Sequence, residues 1–199
     1  RKPSRSIVPP IFKKSNMELW PQYDPEEAEV LLKKEGFCNG KVLDFPLTYR
    51  SNVPADKLIA LSWQEEIKNN LNECMNIELN GVESTTIYKN LNLGIYTAVI
   101  LDWTGAYSDP EAYLTPLLSC IELDGEICKK GESVYSGSFW GSNRVERLFL
   151  ESENLDGNER LDKLNEIEII ASQAIPYIPI WISSQKAWSQ IELSKPIFN

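Results

Sequence analysis

The sequence predicts an α/β protein with a mostly parallel sheet and flanking helices. Three observations carry that expectation. Between Val42 and Trp103, strand and helix patterns alternate as strand–helix–strand–helix–strand, an order that implies crossover connections between parallel strands. Tyr96–Trp103 is almost wholly apolar, the texture of a strand buried on both faces. Asp24-Pro25-Glu26-Glu27 opens a helix with complete local punctuation.

Residues 1–23 carry Pro3, Pro9, Pro10 and Pro21 without periodicity and read as an extended lead-in. In the helix that follows, Asp24 is the N-cap and Glu27 completes a capping box, while Ala28, Leu31 and Leu32 form an apolar stripe. Lys33 and Lys34 suit its negative C-terminal end, and Gly36 supplies the left-handed stop. Val42–Tyr49 is rich in strand formers, and Pro46 within it suggests an edge or a bulge. Ala60, Trp63, Ile67 and Leu71 recur at helical spacing between Pro54 and Leu71. Ile77–Val82 alternates Ile77 and Leu79 with Glu78 and Asn80, as a half-buried strand does. Ser84 can cap a short helix carrying Ile87, Tyr88 and Leu91, stopped by Gly94.

After Trp103 the texture changes. Thr104–Pro110 is turn-rich and is expected at the carboxyl end of the central strand, and Pro110–Ser119 is a candidate helix. A loop from Cys120 to Gly141 holds Gly125, Gly131, Gly137 and Gly141; helices follow at about 143–152 and 156–172. Ile175–Ile182 is strand-like, but Pro176 and Pro179 keep it off the middle of a sheet.

The chain has 199 residues, room for one ample domain, with 42% hydrophobic and 25% charged residues, as in an ordinary globule. Twenty basic against 29 acidic side chains give a net charge of −9, which argues against a phosphate backbone as partner. There is no histidine, which removes His-based triads, His-ligated zinc and imidazole acid–base work. No apolar run approaches the roughly 20 residues of a membrane helix. The four cysteines form no C-x-x-C pair and have no histidine to complete a zinc site, so no metal centre is expected. They read either as four buried thiols or as two disulfides.

Ligands of open α/β sheets sit at the carboxyl ends of strands, which singles out Trp103-Thr-Gly-Ala-Tyr-Ser-Asp109-Pro110. Trp103 and Tyr107 offer flat stacking faces, and Gly105 allows close backbone approach. Each aromatic also has a plain packing reading, as do Trp20, Trp63, Trp140, Trp181 and Trp188. Asp109 before Pro110 reads as the cap of the next helix. Paired carboxylates such as Asp102 with Asp109 are the nearest approach to a hydrolytic pair. No phosphate loop, nucleophile elbow or calcium-loop spacing is present.

At this loop the sequence resembles the extracytoplasmic solute-binding proteins of peptide-type ABC importers. Gly94-Ile-Tyr96, then Trp103 to Tyr107 and Asp109-Pro110 before Tyr113-Leu114, follow that family's pattern of a Gly, an aromatic, a strand ending in Trp, a Tyr and an acid–Pro step. Tyr23-Asp-Pro-Glu-Glu-Ala28 with Leu31-Leu32 and Gly36-Phe37, Ser138-Phe-Trp140 through Glu146 and Leu148, Arg160, and Ile175-Pro176-Tyr-Ile-Pro179 fit in the right order.

The resemblance implies one lobe of a type II periplasmic-binding-protein fold: a lead-in at 1–23, an α/β lobe at 24–172 and a Pro-rich cross-over segment at 173–199. It implies a non-enzymatic, cofactor-free substrate-binding component of an ABC importer that captures a peptide or peptide-like solute in an interlobe cleft. The implied ligand-binding residues are Trp103, Thr104, Gly105, Ala106, Tyr107 and Trp140. The implied partners are permease subunits in the membrane and an N-terminal lobe of the same protein. Arg1 opens the chain without a start Met, and the resemblance sets a signal peptide and that lobe upstream, with a periplasmic or otherwise extracytoplasmic location and room for a lipidated anchor. Many peptide binders pair an Asp, three residues after the Trp, with the α-amino group of the peptide; here that place is Ala106. A different reading is an effector-sensing domain of a transcriptional regulator that borrowed this lobe.

The cysteines separate these two readings. Cys38 and Cys74 each precede a strand, and if Val42–Tyr49 and Ile77–Val82 are parallel neighbours their starts lie side by side. Cys120 and Cys128 bracket Asp124-Gly125, a hairpin signal that brings both ends together. An oxidising extracytoplasmic space keeps such bonds, whereas a cytosolic regulator keeps thiols.

Overall fold

The computed structural model describes residues 2–13 and 18–183, and packing divides the chain into two compact units, Gln22–Asp102 and the chain on either side of it. The elements are β1 (Lys2–Pro3), α1 (Pro25–Lys34), β2 (Leu43–Arg50), α2 (Pro54–Asn70), β3 (Met75–Val82), α3 (Ser84–Asn90) and β4 (Ala98–Ile100). After them come α4 (Glu111–Leu118), β5 (Glu122–Asp124), β6 (Ile127–Lys130), α5 (Glu132–Tyr135), α6 (Asn143–Glu153), α7 (Gly157–Ala174) and β7 (Trp181–Ile182). Trp188 and the rest of the cross-over segment beyond residue 183 lie outside the described residues.

In the unit Gln22–Asp102, β3, β2 and β4 form a parallel sheet in that order, as the alternating pattern predicts. The centre is β2, not the apolar run that ends at Trp103. That run contributes the three-residue strand β4, paired with β2 over Leu47–Tyr49, and of its residues only Ile100 is buried. A short apolar stretch does not by itself distinguish double burial from an edge position. Pro46 sits inside the central strand and is tolerated for a local reason. Pairing with β4 begins only at Leu47, so at Pro46 one flank of β2 is unpaired and a ladder donor can be absent.

Helix α1 begins and ends as the sequence predicts. The Asp24 carboxylate accepts the Glu27 N–H at 3.0 Å, and Gly36, at φ +84°, donates to Lys33 O while Phe37 N–H reaches Leu32 O at 2.9 Å. Its apolar stripe is only partly covered: no residue of α1 is fully buried, Ala28 and Leu32 are half-buried, and Leu31 is exposed. In α3 the cap is Glu83 rather than Ser84. Its carboxylate accepts from Thr85 and Thr86 N–H, because Ser84 donates both its N–H and its hydroxyl to Asn52 Oδ1.

The other unit packs α4, α6 and α7 around Leu114, Leu118, Val145, Leu148, Leu164 and Ile167, all at most 2% exposed. The lead-in is part of this packing. Val8 is buried in the cluster, β1 pairs antiparallel with β7, and the Trp20 indole N–H donates to Tyr177 O at 2.7 Å. Glu168 on α7, itself 1% exposed, holds the lead-in from three directions. It accepts from the Ser6 hydroxyl at 2.5 Å and from Val8 N–H at 3.3 Å, and it pairs with Lys13 Nζ at 2.9 Å.

Both cysteine pairs are bonded. Cys38–Cys74 ties the segment after α1 to the start of β3, and Cys120–Cys128 closes the hairpin of β5 and β6, with Gly125 at φ +64° in its turn. Loop-closure entropy grows with the length closed, so the bridge spanning 36 residues contributes more than the one spanning 8. The double Cys→Ser variant of Cys38 and Cys74 is expected to lose about 4 kcal/mol in urea unfolding, against about 2–3 kcal/mol for Cys120 and Cys128. Four reactive thiols in the unreduced, unfolded chain would contradict both bridges.

Candidate ligand-binding loop

The segment Trp103–Ser108 contains no ionisable carboxylate or amine, yet its two flanks are acidic: Asp102 on one side, Asp109 and Glu111 on the other. Each flank is held by an arginine of its own unit.

At the first flank, Arg50 closes the carboxyl end of β2 and is 7% exposed. Its Nε and Nη2 donate to Asp56 Oδ2 at 2.6 Å and Oδ1 at 3.1 Å, and Asp56, at the start of α2, is 2% exposed. Its Nη1 donates to the Tyr88 hydroxyl at 3.2 Å and to Asp102 Oδ1, which also accepts from Tyr88 at 2.8 Å. Burial disfavours charge on Arg50, but hydrogen bonding to Asp56 and the charges of Asp102 and Asp56 outweigh it, keeping the guanidinium protonated. Burial also works against ionised Asp102, and the Tyr88 hydrogen bond with the Arg50 charge overcomes it, so the carboxyl titrates below its ordinary range.

At the second flank, Arg160 on α7 makes a fork to Asp109, with Nη1 to Oδ2 at 2.8 Å and Nη2 to Oδ1 at 2.9 Å, and Nη2 also reaches Glu111 Oε2. Such two-point guanidinium–carboxylate contacts fix orientation as well as charge. Asp109 also caps α4, as expected, accepting Glu111 N–H at 2.8 Å. Burial disfavours its ionised form, but the Arg160 hydrogen bonds, the Glu111 N–H and the Arg160 charge prevail and lower its pKa.

Between the flanks the loop turns back on the first turn of α4. The Trp103 indole N–H donates to Ala112 O at 3.0 Å, leaving the residue 46% exposed. Gly105 is required by sterics: a Cβ there would lie 2.6 Å from the Tyr113 ring. The close approach that Gly105 permits is therefore to Tyr113. Thr104 and Ala106 are exposed, and Tyr107 is 54% exposed. Burial, then the charges of Glu111 and Asp109, raise the Tyr107 pKa and keep the phenol neutral.

Trp140 lies elsewhere in the same unit. It bridges to Ile127 at the end of the β5–β6 hairpin and packs half-buried against the core, and its buried indole N–H has no acceptor among the described residues. The structure thus brings Trp103 to Tyr107 together in one loop and sets Trp140 on a different element. Sequence reasoning missed Arg50 and Asp56 as structural partners; Arg160 was legible only through resemblance. Among the described residues no cluster of His, Cys, Asp or Glu has the geometry to hold a metal ion.

The family model described as bacterial extracellular solute-binding proteins, family 5 Middle, matches residues 1–123. The chain is similar to heme-binding protein A of Haemophilus influenzae, 26% identical over 185 residues, which are 89% of this chain and 31% of that protein. It is also similar to di/tripeptide-binding protein 4 of Pseudomonas aeruginosa, 25% identical over 81% of this chain and 28% of that one. Among solved structures, the murein tripeptide binding protein of Escherichia coli superposes with a TM-score of 0.74 at 19% identity, over 89% of this chain and 33% of that one. That likeness is one of fold, the type II periplasmic-binding-protein fold. The chain spans about a third of the length of the curated relatives it matches.

Two outcomes follow from the arginine pairs. Arg50→Met leaves Asp56 buried without its cation and is expected to cost about 3–5 kcal/mol in urea unfolding; a loss under about 1 kcal/mol would contradict that role. Asp109 titrates below its unfolded value of 3.8, so the stability it lends is full above that pH and drains as pH falls through the lower folded value. The stability gap between the chain and Arg160→Gln should therefore be widest near neutral pH and shrink in acid; a gap independent of pH would refute the pairing.

Proposed function

Because the chain belongs to family 5 of the bacterial extracellular solute-binding proteins, we propose that it forms part of the substrate-binding component of an ABC importer. In this reading it captures a peptide or peptide-like solute between itself and a lobe that precedes it, and delivers the solute to permease subunits in the membrane. The observation that carries the proposal is the family match over residues 1–123, which includes the whole aromatic loop, together with the exposure of Trp103 and Tyr107 in that loop. Trp103, Thr104, Gly105, Ala106 and Tyr107 contact the solute, Gly105 through its backbone. Trp140 joins them only if the solute reaches the hairpin of β5 and β6.

The protein works by binding, with no chemical step and no cofactor. Its place is outside the cytoplasmic membrane, either free in the periplasm or held at the membrane by a lipidated N-terminus. Two disulfides support an oxidising compartment over the cytosol in which a transcriptional regulator would work. The charge of −9 weighs against nucleic acid as partner.

Half of a cleft offers half of its contacts. Calorimetry with the tripeptide Ala-Phe-Ala is expected to give the isolated chain a Kd weaker than about 1 µM, and binding at that level or tighter would contradict the two-lobe reading. In the full-length protein, Trp103→Ala should weaken the same tripeptide about ten-fold. Unchanged affinity would remove the loop from the ligand site.

A further inference from the structure

We infer that Asp102, oriented by Arg50 and Tyr88, is a contact for a positively charged group of the solute, an ammonium or a guanidinium. The inference rests on the proposed solute-binding function and adds the chemistry of one group that the solute carries.

The three residues belong to one unit and meet at one edge of its sheet. Arg50 is the last residue of β2, Asp102 follows the end of β4 by two positions, and Tyr88 comes from α3, the helix after β3. Both neighbours of β2 run parallel to it, so this is the carboxyl edge, where open α/β sheets hold their ligands. The charges there do not cancel. The guanidinium of Arg50 makes its two-point contact with Asp56, and only Nη1 turns to Asp102 and Tyr88. One cation thus faces two carboxylates, and the excess negative charge reaches solvent at Asp102. Its side chain is 71% exposed, against 8% for Arg50 and 2% for Asp56. Glu83, the residue after β3, adds a further acid to this edge rather than a cation.

The carboxylate is also fixed in direction. Its Oδ1 accepts from the Tyr88 hydroxyl at 2.8 Å and from Arg50 Nη1, and both donors belong to the same unit. Its orientation is therefore set without the solute, which lowers the ordering cost of binding. The same two donors keep it ionised, with the carboxyl below its ordinary range. An oriented, ionised and exposed carboxylate takes charge-assisted hydrogen bonds from an ammonium or a guanidinium, and these are stronger than bonds from neutral donors. As a support for the fold, an ion pair with one partner so exposed contributes little.

Calorimetry on the full-length protein tests this with two pairs of probes, each differing in one cationic group. Propionyl-Phe-Ala is Ala-Phe-Ala without its α-ammonium, and Ala-citrulline-Ala is Ala-Arg-Ala with a urea in place of the guanidinium. In at least one pair, Asp102→Asn should cut the preference for the charged member about ten-fold. The pair that responds tells whether a terminal ammonium or a side-chain guanidinium is held. Asp44→Asn, the same change in charge near the start of β2 and so at the opposite edge of the sheet, should leave both preferences unchanged. Tyr88→Phe should cut the responding preference about three-fold, whereas a tyrosine that only supports the fold would weaken charged and neutral probes alike. Unchanged preferences in Asp102→Asn for both pairs, or an equal fall in Asp44→Asn, would overturn the inference even where Trp103→Ala weakens Ala-Phe-Ala as expected. An unchanged preference in Tyr88→Phe would overturn the orienting role of the hydroxyl. Failure of all four probes to bind would instead overturn the proposed function, and this inference with it.

Discussion

The guanidinium of Arg160 against the Asp109 carboxylate is the contact on which the presentation of the aromatic loop depends. Asp109 has two duties, since its oxygens cap α4 and also receive the fork from α7. Without the arginine, a carboxylate only 29% exposed would keep its desolvation cost and lose the charge that offsets it. Without the cap, the first turn of α4 would lose an acceptor, and the Ala112 carbonyl that anchors Trp103 belongs to that turn. Charge, helix start and ring position are one linked arrangement.

Much of the fold was legible because its signals are local. The ends of α1 follow from Asp24, Glu27 and Gly36, and the hairpin bridge from Cys120, Asp124-Gly125 and Cys128. The change of texture after Trp103 coincides with the boundary between the two units. Strand order was not legible. The apolar run before Trp103 suggested the centre of the sheet, but β2 took that place despite Pro46, because order depends on which strands find partners on both sides. The lead-in read as extended because Ser6, Val8 and Lys13 dock singly on Glu168, which leaves no period to detect.

The site divides in the same way. The loop could be read from its aromatics, its glycine and its place after a strand. Its supports could not: Arg50 reaches Asp56 across a strand-to-helix turn and Asp102 across 52 positions, and Arg160 reaches Asp109 across 51. Pairings of that span leave no spacing signature in a single sequence. The match to the solute-binding family covers the whole loop together with Arg50, Asp56, Asp102, Asp109 and Glu111.

The central claim is that the contacts of Arg160, Asp109 and Trp103 hold the loop in one shape. Backbone 15N relaxation on the unliganded chain measures this directly. Order parameters for Trp103–Ser108 of about 0.8 or above, matching α4, are what the arginine-held arrangement predicts. Values below about 0.6 across the loop, with α4 rigid, would contradict it.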